Sequence, residues 1–230
     1  MTVIQVKNLT KIYKRNHLFK TYYFTGIKDV SFEVKKGEIF VLLGLNGSGK
    51  TTTVKLLLNL IFPTSGEFKV LGKVGFLPEI PYFFPYLTAE EMLDYLLRIS
   101  KVEKNRRKER IDYILSLVGL EEARKKLLKE FSKGMLKRIC LGSSLIDDPE
   151  ILILDEPYSG LDPVGIREMR NLILSLNENG KTIFMTSHII GEVEKIAKRC
   201  GVLHKGEFKG YIDKIETGKL EDEFLGMINE

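Results

Sequence analysis

Cysteine is scarce in this chain. Two occur in 230 residues, Cys140 and Cys200, with no CxxC pair and no metal-like neighbourhood around either. That excludes a disulfide framework and a thiolate metal site, and fits two buried thiols in a reducing compartment. Long apolar runs are missing too. The longest candidates, VKLLLNLIF at 54–62 and ILILD at 151–155, have the length of core elements and fall well short of the ~20 residues that a membrane-spanning helix needs. The opening MTVIQVKNLTKIYK carries a polar residue at every second or third position and lacks an apolar signal core. The expectation is a cytosolic protein. Internal repeats, low-complexity tracts and heptad runs are also lacking.

What is present is ordinary globular composition, 43% hydrophobic and 29% charged, which argues against disorder. The length suits one sizeable core, with room for a subdomain. A net charge of +5 permits an anionic partner, but the basic residues are interleaved with acids, so none is demanded. The charge run KVEKNRRKER at 101–110 reads as a solvated helix face, with attraction to acidic lipid headgroups as the sharper alternative.

Short apolar runs alternate with longer helical patterns, the signature of a doubly wound α/β sheet. The runs IFVLL (39–43), ILILD (151–155), TIFMTS (182–187) and GVLH (201–204) read as buried parallel strands. VIQVKNL (3–9) and VSFEV (30–34) alternate apolar with polar residues and read as a half-exposed antiparallel pair. No convincing strand lies between 88 and 145. There Thr88 and Glu91 form a capping-box pair ahead of a helical pattern, so a mostly helical insert is expected to form a separate lobe.

The segment GLNGSGKT, 44–51, matches G-x-x-x-x-G-K-S/T between the apolar run IFVLL and the helical TTTVKLLLNLI. This is the strand-loop-helix setting of a phosphate-binding loop. Gly44, Gly47 and Gly49 let the backbone curl so that N–H groups face inward, and the helix dipole adds positive potential. Lys50 then reaches the β and γ phosphates, and the Thr51 hydroxyl ligates Mg²⁺. Asn46, Ser48 and Thr52 complete the expected nucleotide-binding set.

The strand ILILDEP supplies the acids such a site needs. Asp155 can hold Mg²⁺ directly or through water. Glu156, one residue further, is the candidate general base for an attacking water. His188 closes TIFMTSH at the carboxyl end of another core strand, the edge at which α/β sheets bind ligands, and is the candidate γ-phosphate contact.

No N-K-x-D base-reading motif of the GTPases is present, and no arginine lid of the small-molecule kinases. GLNGSGKT, FSKGM (131–135), ILILDEP, SGLD (159–162) and TSH (186–188), in that order, resemble the nucleotide-binding subunits of ABC transporters, over about residues 3–212. The resemblance implies a P-loop NTPase core with a mostly parallel sheet, an N-terminal antiparallel β-subdomain and a helical lobe. The implied boundaries are about 1–80 with 146–212 for the core and β-subdomain, 81–145 for the helical lobe and 213–230 for a helical tail. It implies an ATPase with ATP and Mg²⁺, working as a homodimer or heterodimer in which the signature of one subunit completes the P-loop of the other. Ser132 and Gly134 would then meet the partner's γ-phosphate, and Asp162 would sit at the dimer interface. Asp162-Pro163 also reads as an N-cap followed by an N1 proline. Tyr13 falls where the family stacks an aromatic on adenine.

Several positions depart from the family. Glu79 takes the place of the Q-loop glutamine, and a carboxylate there binds Mg²⁺ more strongly but donates no hydrogen bond. Lys133 replaces a glycine and Met135 a glutamine of the commoner signature. The stretch RNHLFKTYYFTG at 15–26 lengthens the first hairpin, leaving Tyr22 or Tyr23 as alternative adenine stackers. The exposed-looking aromatics YFFPYL, Tyr82–Leu87, with Glu79 suggest the groove that docks integral membrane permease subunits, with core packing as the alternative. The GFLPE and SKGM variants resemble an exporter branch. The chain ends soon after the fold is complete, so no C-terminal regulatory domain is expected. A nucleic acid partner is not expected, and the implied location is the cytoplasmic face of the cell membrane, held peripherally.

Overall fold

Three phenylalanines, Phe32, Phe40 and Phe184, stack on one another with centroids 5.6, 5.8 and 6.0 Å apart. In the computed structural model, which describes residues 1–17 and 20–229, they mark the core of the first of two units, Met1–Gly72 with Thr182–Glu230. All three are buried, and side chains of this size each contribute roughly 1.5–3 kcal/mol on burial. The strands of this unit are β1 (Thr2–His17), β2 (Lys20–Lys35), β3 (Ile39–Leu43) and β4 (Ser65–Val70). The second unit, Lys73–Lys181, contains β5 (Val74–Leu77) and β6 (Ile151–Leu154). The first unit resumes with β7 (Thr182–Ser187), β8 (Arg199–His204) and β9 (Glu207–Ile212).

Within the first unit β3 lies between β7 and β8, parallel to both. Every residue of β3 and β7 is buried, which is why these runs are continuously apolar or nearly so. β1, β2 and β4 form the antiparallel part, joined through a single parallel pairing of Lys28 with Glu207 of β9. The antiparallel pair expected over 3–9 and 30–34 extends much further, giving 16-residue strands on both sides of the hairpin, with every residue of β2 from Lys20 to Thr25 exposed. Leu18 and Phe19 lie outside the described residues.

The helix after the phosphate loop, α1, runs from Lys50 to Leu57 and is shorter than the 51–61 pattern suggests. Asn59 adopts a left-handed conformation at φ 55°, with its N–H on Leu56 O at 2.8 Å and the Leu60 N–H on Lys55 O at 2.9 Å. That is a Schellman stop, built with asparagine where glycine is commoner.

In the second unit β5 and β6 pair in parallel from Val74↔Ile151 to Leu77↔Leu154. Around them lie α2 (Ala89–Ile99), α3 (Lys104–Leu117), α4 (Lys133–Ser144) and α5 (Pro163–Glu178). The starts of α2, α4 and α5 follow local chemistry. Thr88 and Glu91 make both bonds of the capping box, the Ser132 side chain accepts from Met135 N–H, and Asp162 caps α5 with Pro163 in its first turn. The charged stretch 101–110 opens α3 and is largely exposed. β4, β5 and β9 lie in segments that the apolar-run criterion passed over. β4 is mostly exposed and β9 alternates in burial, so neither carries a continuous apolar run. The first unit also contains α6 (Ile190–Ile196) and α7 (Leu220–Asn229). No helix among the described residues is long and apolar enough to cross a membrane.

Candidate functional site

In the first unit the loop from Gly44 to Gly49 connects β3 to α1. Gly47 and Gly49 have φ of 79° and 108°, which lets successive N–H groups turn the same way. Glycine at 44 is required by space as well, because a Cβ there would lie 2.3 Å from Leu203 O. The loop is anchored on both sides, with Gly44 N–H donating to Ser187 O at 3.2 Å and Gly206 N–H donating to Ser48 O at 2.9 Å. Lys50 is only 6% exposed. Its ammonium donates to Gly44 O at 2.7 Å and Leu45 O at 3.1 Å, which holds the positive charge inside the curl. Asn46 is exposed, and Ser48 is buried with its hydroxyl lacking a hydrogen-bond partner among the described residues. Thr51 and Thr52 are half-buried in the first turn of α1.

Tyr13 reaches that turn from β1, its hydroxyl 3.3 Å from Thr52 Oγ1. Phe24 stacks on its ring at 4.9 Å and 13°. The register pairs Tyr13 with Phe24, Lys14 with Tyr23 and Arg15 with Tyr22. Since side chains alternate along a strand, Tyr22 shares the face of Tyr13, and Tyr23 occupies the opposite one. His188 directly follows β7 and is exposed. Its neighbour Ser187 accepts the Ile189 N–H at 3.0 Å on its hydroxyl.

The second unit carries the acids. Asp155 follows β6, its N–H on Leu77 O at 2.8 Å, and it is 3% exposed beside Glu156 at 5%. Glu156 holds φ at 45°, a left-handed conformation that costs a non-glycine residue of order 1–3 kcal/mol. Glu79 has an exposed side chain, while its carbonyl oxygen accepts from Lys137 Nζ at 2.6 Å. The start of α4 and the segment before α5 share a cavity of about 370 Å³, lined by Ser132, Gly134 and Met135 on one side and Gly160, Leu161 and Asp162 on the other. The Ser132 hydroxyl accepts Met135 N–H at 3.2 Å, and Asp162 Oδ1 accepts Gly165 N–H at 2.7 Å. A second cavity of about 370 Å³ is apolar, with Phe76, Tyr82, Phe83, Phe84, Met92 and Leu96 among its walls. Tyr82 and Tyr86 are 87% and 75% exposed.

A family model described as ABC transporter matches residues 27–159. The chain belongs to this family. Similar proteins include an uncharacterized ABC transporter ATP-binding protein of Synechocystis, 44% identical and covering 89% of this chain and 61% of that protein. The bacitracin transport ATP-binding protein BcrA of Bacillus licheniformis is 40% identical, over 90% of this chain and 68% of its own length. The chain thus spans about three fifths to two thirds of the length of these relatives. Among solved structures, the dimeric ATP-binding cassette MJ0796 in a post-hydrolysis state bound to ADP and Pi matches with a TM-score of 0.81 and 26% identity, covering 93% of this chain and 99% of that one. The α/β fold with its mixed sheet is that of an ABC cassette.

One buried charge that touches the backbone of these acids was not legible from sequence. Lys137, on α4, is 4% exposed and donates to the carbonyls of both Glu79 and Glu156. Burial lowers its pKa, opposed by the negative potential of Glu79, Cys140, Asp155 and Glu156. The signal that points to it is its place three and four residues before the buried Cys140 and Leu141, which puts a charge on the apolar stripe of α4.

Proposed function

We propose that this chain is the subunit that binds and hydrolyses ATP to power an ABC transporter, and that the transporter is an exporter. The observation that carries the reading is the loop around Lys50. A buried ammonium held by two loop carbonyls, glycines in left-handed turns and a helix start together suit the triphosphate of a nucleotide and little else. The SKGM signature supports the exporter direction, and the relatives named for bacitracin transport support a role in transport.

In this reading Tyr13 packs against adenine, and Lys50 with the N–H groups of 46–52 holds the phosphates. Thr51 and Asp155 offer hard oxygen donors, the type Mg²⁺ prefers, with Glu79 as a further acid. Bound Mg²⁺ would neutralise charge on the phosphate oxygens. Glu156 orients the attacking water and takes its proton, while His188 donates to the γ-phosphate. A second ATP-binding subunit, identical or related, presents Ser132, Gly134 and Asp162 to the nucleotide, so ATP closes the dimer and hydrolysis releases it. The lobe at about 81–145 docks the permease through Glu79 and the apolar cavity at Tyr82–Phe84, which keeps the subunit on the cytoplasmic face of the membrane.

Replacing Glu156 with Gln tests the core of this. Turnover is expected to fall about 10²- to 10⁴-fold, with an ATP-bound dimer accumulating in light scattering. Undiminished turnover would remove Glu156 from the role of base.

A further inference from the structure

The buried ammonium of Lys137 takes no part in the chemistry described so far, yet it touches the backbone of two residues that do. It lies 2.6 Å from Glu79 O and 3.2 Å from Glu156 O, both contacts being shielded from solvent in part or in full. Glu156 is the residue held at φ 45°. Its carbonyl takes a second donor, Ser159 N–H, at 3.1 Å. A strained conformation persists only where its surroundings over-determine it, and these two donors clamp the peptide that follows the Glu156 side chain.

We propose that Lys137 is a positioning residue for ATP hydrolysis, tying the signature helix α4 to the carbonyl of Glu156 and to that of Glu79, so that the aim of the Glu156 carboxylate depends on both attachments. This rests on Glu156 acting as the base. A lysine suits the task because one ammonium has three donors and can serve two carbonyls at once. A charge is an expensive filler for a buried site, since an apolar side chain of the same length would escape the desolvation cost. That cost is offset only by bonds of this kind. Displacement of a catalytic group by about 1 Å can cost about 10²-fold in rate, so loss of the clamp acts on turnover and leaves the nucleotide contacts of the first unit in place.

The experiment measures kcat, KM for ATP and Tm for the full chain with Mg²⁺, as wild type and as Lys137→Met, Lys137→Gln and Glu156→Gln. Met matches lysine in length and removes both donors, whereas the Gln amide can still donate to a carbonyl. The expected result is a fall in kcat of about 10- to 100-fold for Lys137→Met, with KM within about twofold and Tm no lower than that of the wild type, and substantial recovery of kcat in Lys137→Gln. Wild-type kcat in Lys137→Met overturns the proposal. So does an equal loss in Met and Gln variants that follows a fall in Tm, because a purely structural lysine would behave that way. If Lys137→Met does not fold, Lys137→Leu, which also removes both donors, takes its place, with the same fall in kcat at unchanged KM expected and wild-type kcat overturning the proposal. Turnover retained in Glu156→Gln sinks the assignment of the base separately.

Discussion

The Lys50 ammonium lies 2.7 Å from the carbonyl oxygen of Gly44, six residues before it in the chain. The lysine therefore braces the loop that it is proposed to serve. Replacing it with Ala removes a charged hydrogen bond to the phosphates, worth about 1.5–3 kcal/mol, and also loosens the curl. ATP affinity by calorimetry should fall at least about tenfold. Lys50→Arg should not restore it, because a planar guanidinium does not fit a space shaped for a compact ammonium. Affinity unchanged in Lys50→Ala would place the nucleotide elsewhere.

The alternation of β1 and β2 separates the candidates for the adenine platform. Tyr13 touches Thr52 at the start of α1 and shares its face with Tyr22, whereas Tyr23 pairs with Lys14 on the opposite face. Loss of an aromatic stack is worth about 0.5–1.5 kcal/mol, so Tyr13→Ala should weaken ATP binding roughly 3- to 10-fold, and Tyr23→Ala should leave it unchanged. Titration of a fluorescent ATP analogue into each variant checks this. A larger loss at Tyr23 would move the platform to the other face.

What could be read from the chain was chemistry confined to a few consecutive residues. The phosphate loop was legible because its glycines answer to backbone geometry, as at Gly49 with φ 108°. The helix starts at Thr88, Ser132 and Asp162 were legible because each side chain bonds an N–H three residues on. Strands that depend on their neighbours were not. β4 pairs with β1 across a largely exposed ladder, and nothing in SGEFKV has to be apolar. Lys137 was illegible for the same reason, since its two acceptors lie 58 and 19 positions away in sequence. The end of α1 does carry a local signal, Asn59 at the position where helices turn left-handed.

Burial pushes the Cys140 thiol up to about 11 and, with the Glu223 charge adding to it, the Cys200 thiol to about 12. Both should stay protonated and inaccessible near pH 8, so a disulfide reagent should find neither in the native chain and both in denaturant. The sign of the linkage follows. A thiol whose folded pKa lies above its unfolded value favours the native state below the unfolded pKa, and that contribution is lost as pH rises through the folded one. Native stability should therefore decline between about pH 9 and pH 11–12, and Cys140→Ala should flatten part of that decline in thermal melts. A decline of the same steepness in the variant would assign it to other groups.

Ser132 has two roles to separate, because its hydroxyl already accepts Met135 N–H at 3.2 Å and the proposed partner phosphate would meet the same helix start. Ser132→Ala removes the cap, about 1 kcal/mol of stability, and confounds the two. Ser132→Asp does not. Aspartate caps as well as serine and favours the helix dipole, so Tm should hold or rise, while its charge repels a phosphate brought up by a second subunit. In a Glu156→Gln background, ATP-dependent dimerisation followed by light scattering should be weakened at least about tenfold by Ser132→Asp, a loss of roughly 1.4 kcal/mol. ATP binding to the isolated chain should be unaffected. A variant that dimerises like its parent would leave Ser132 as a helix cap and move the anion contact away from the signature.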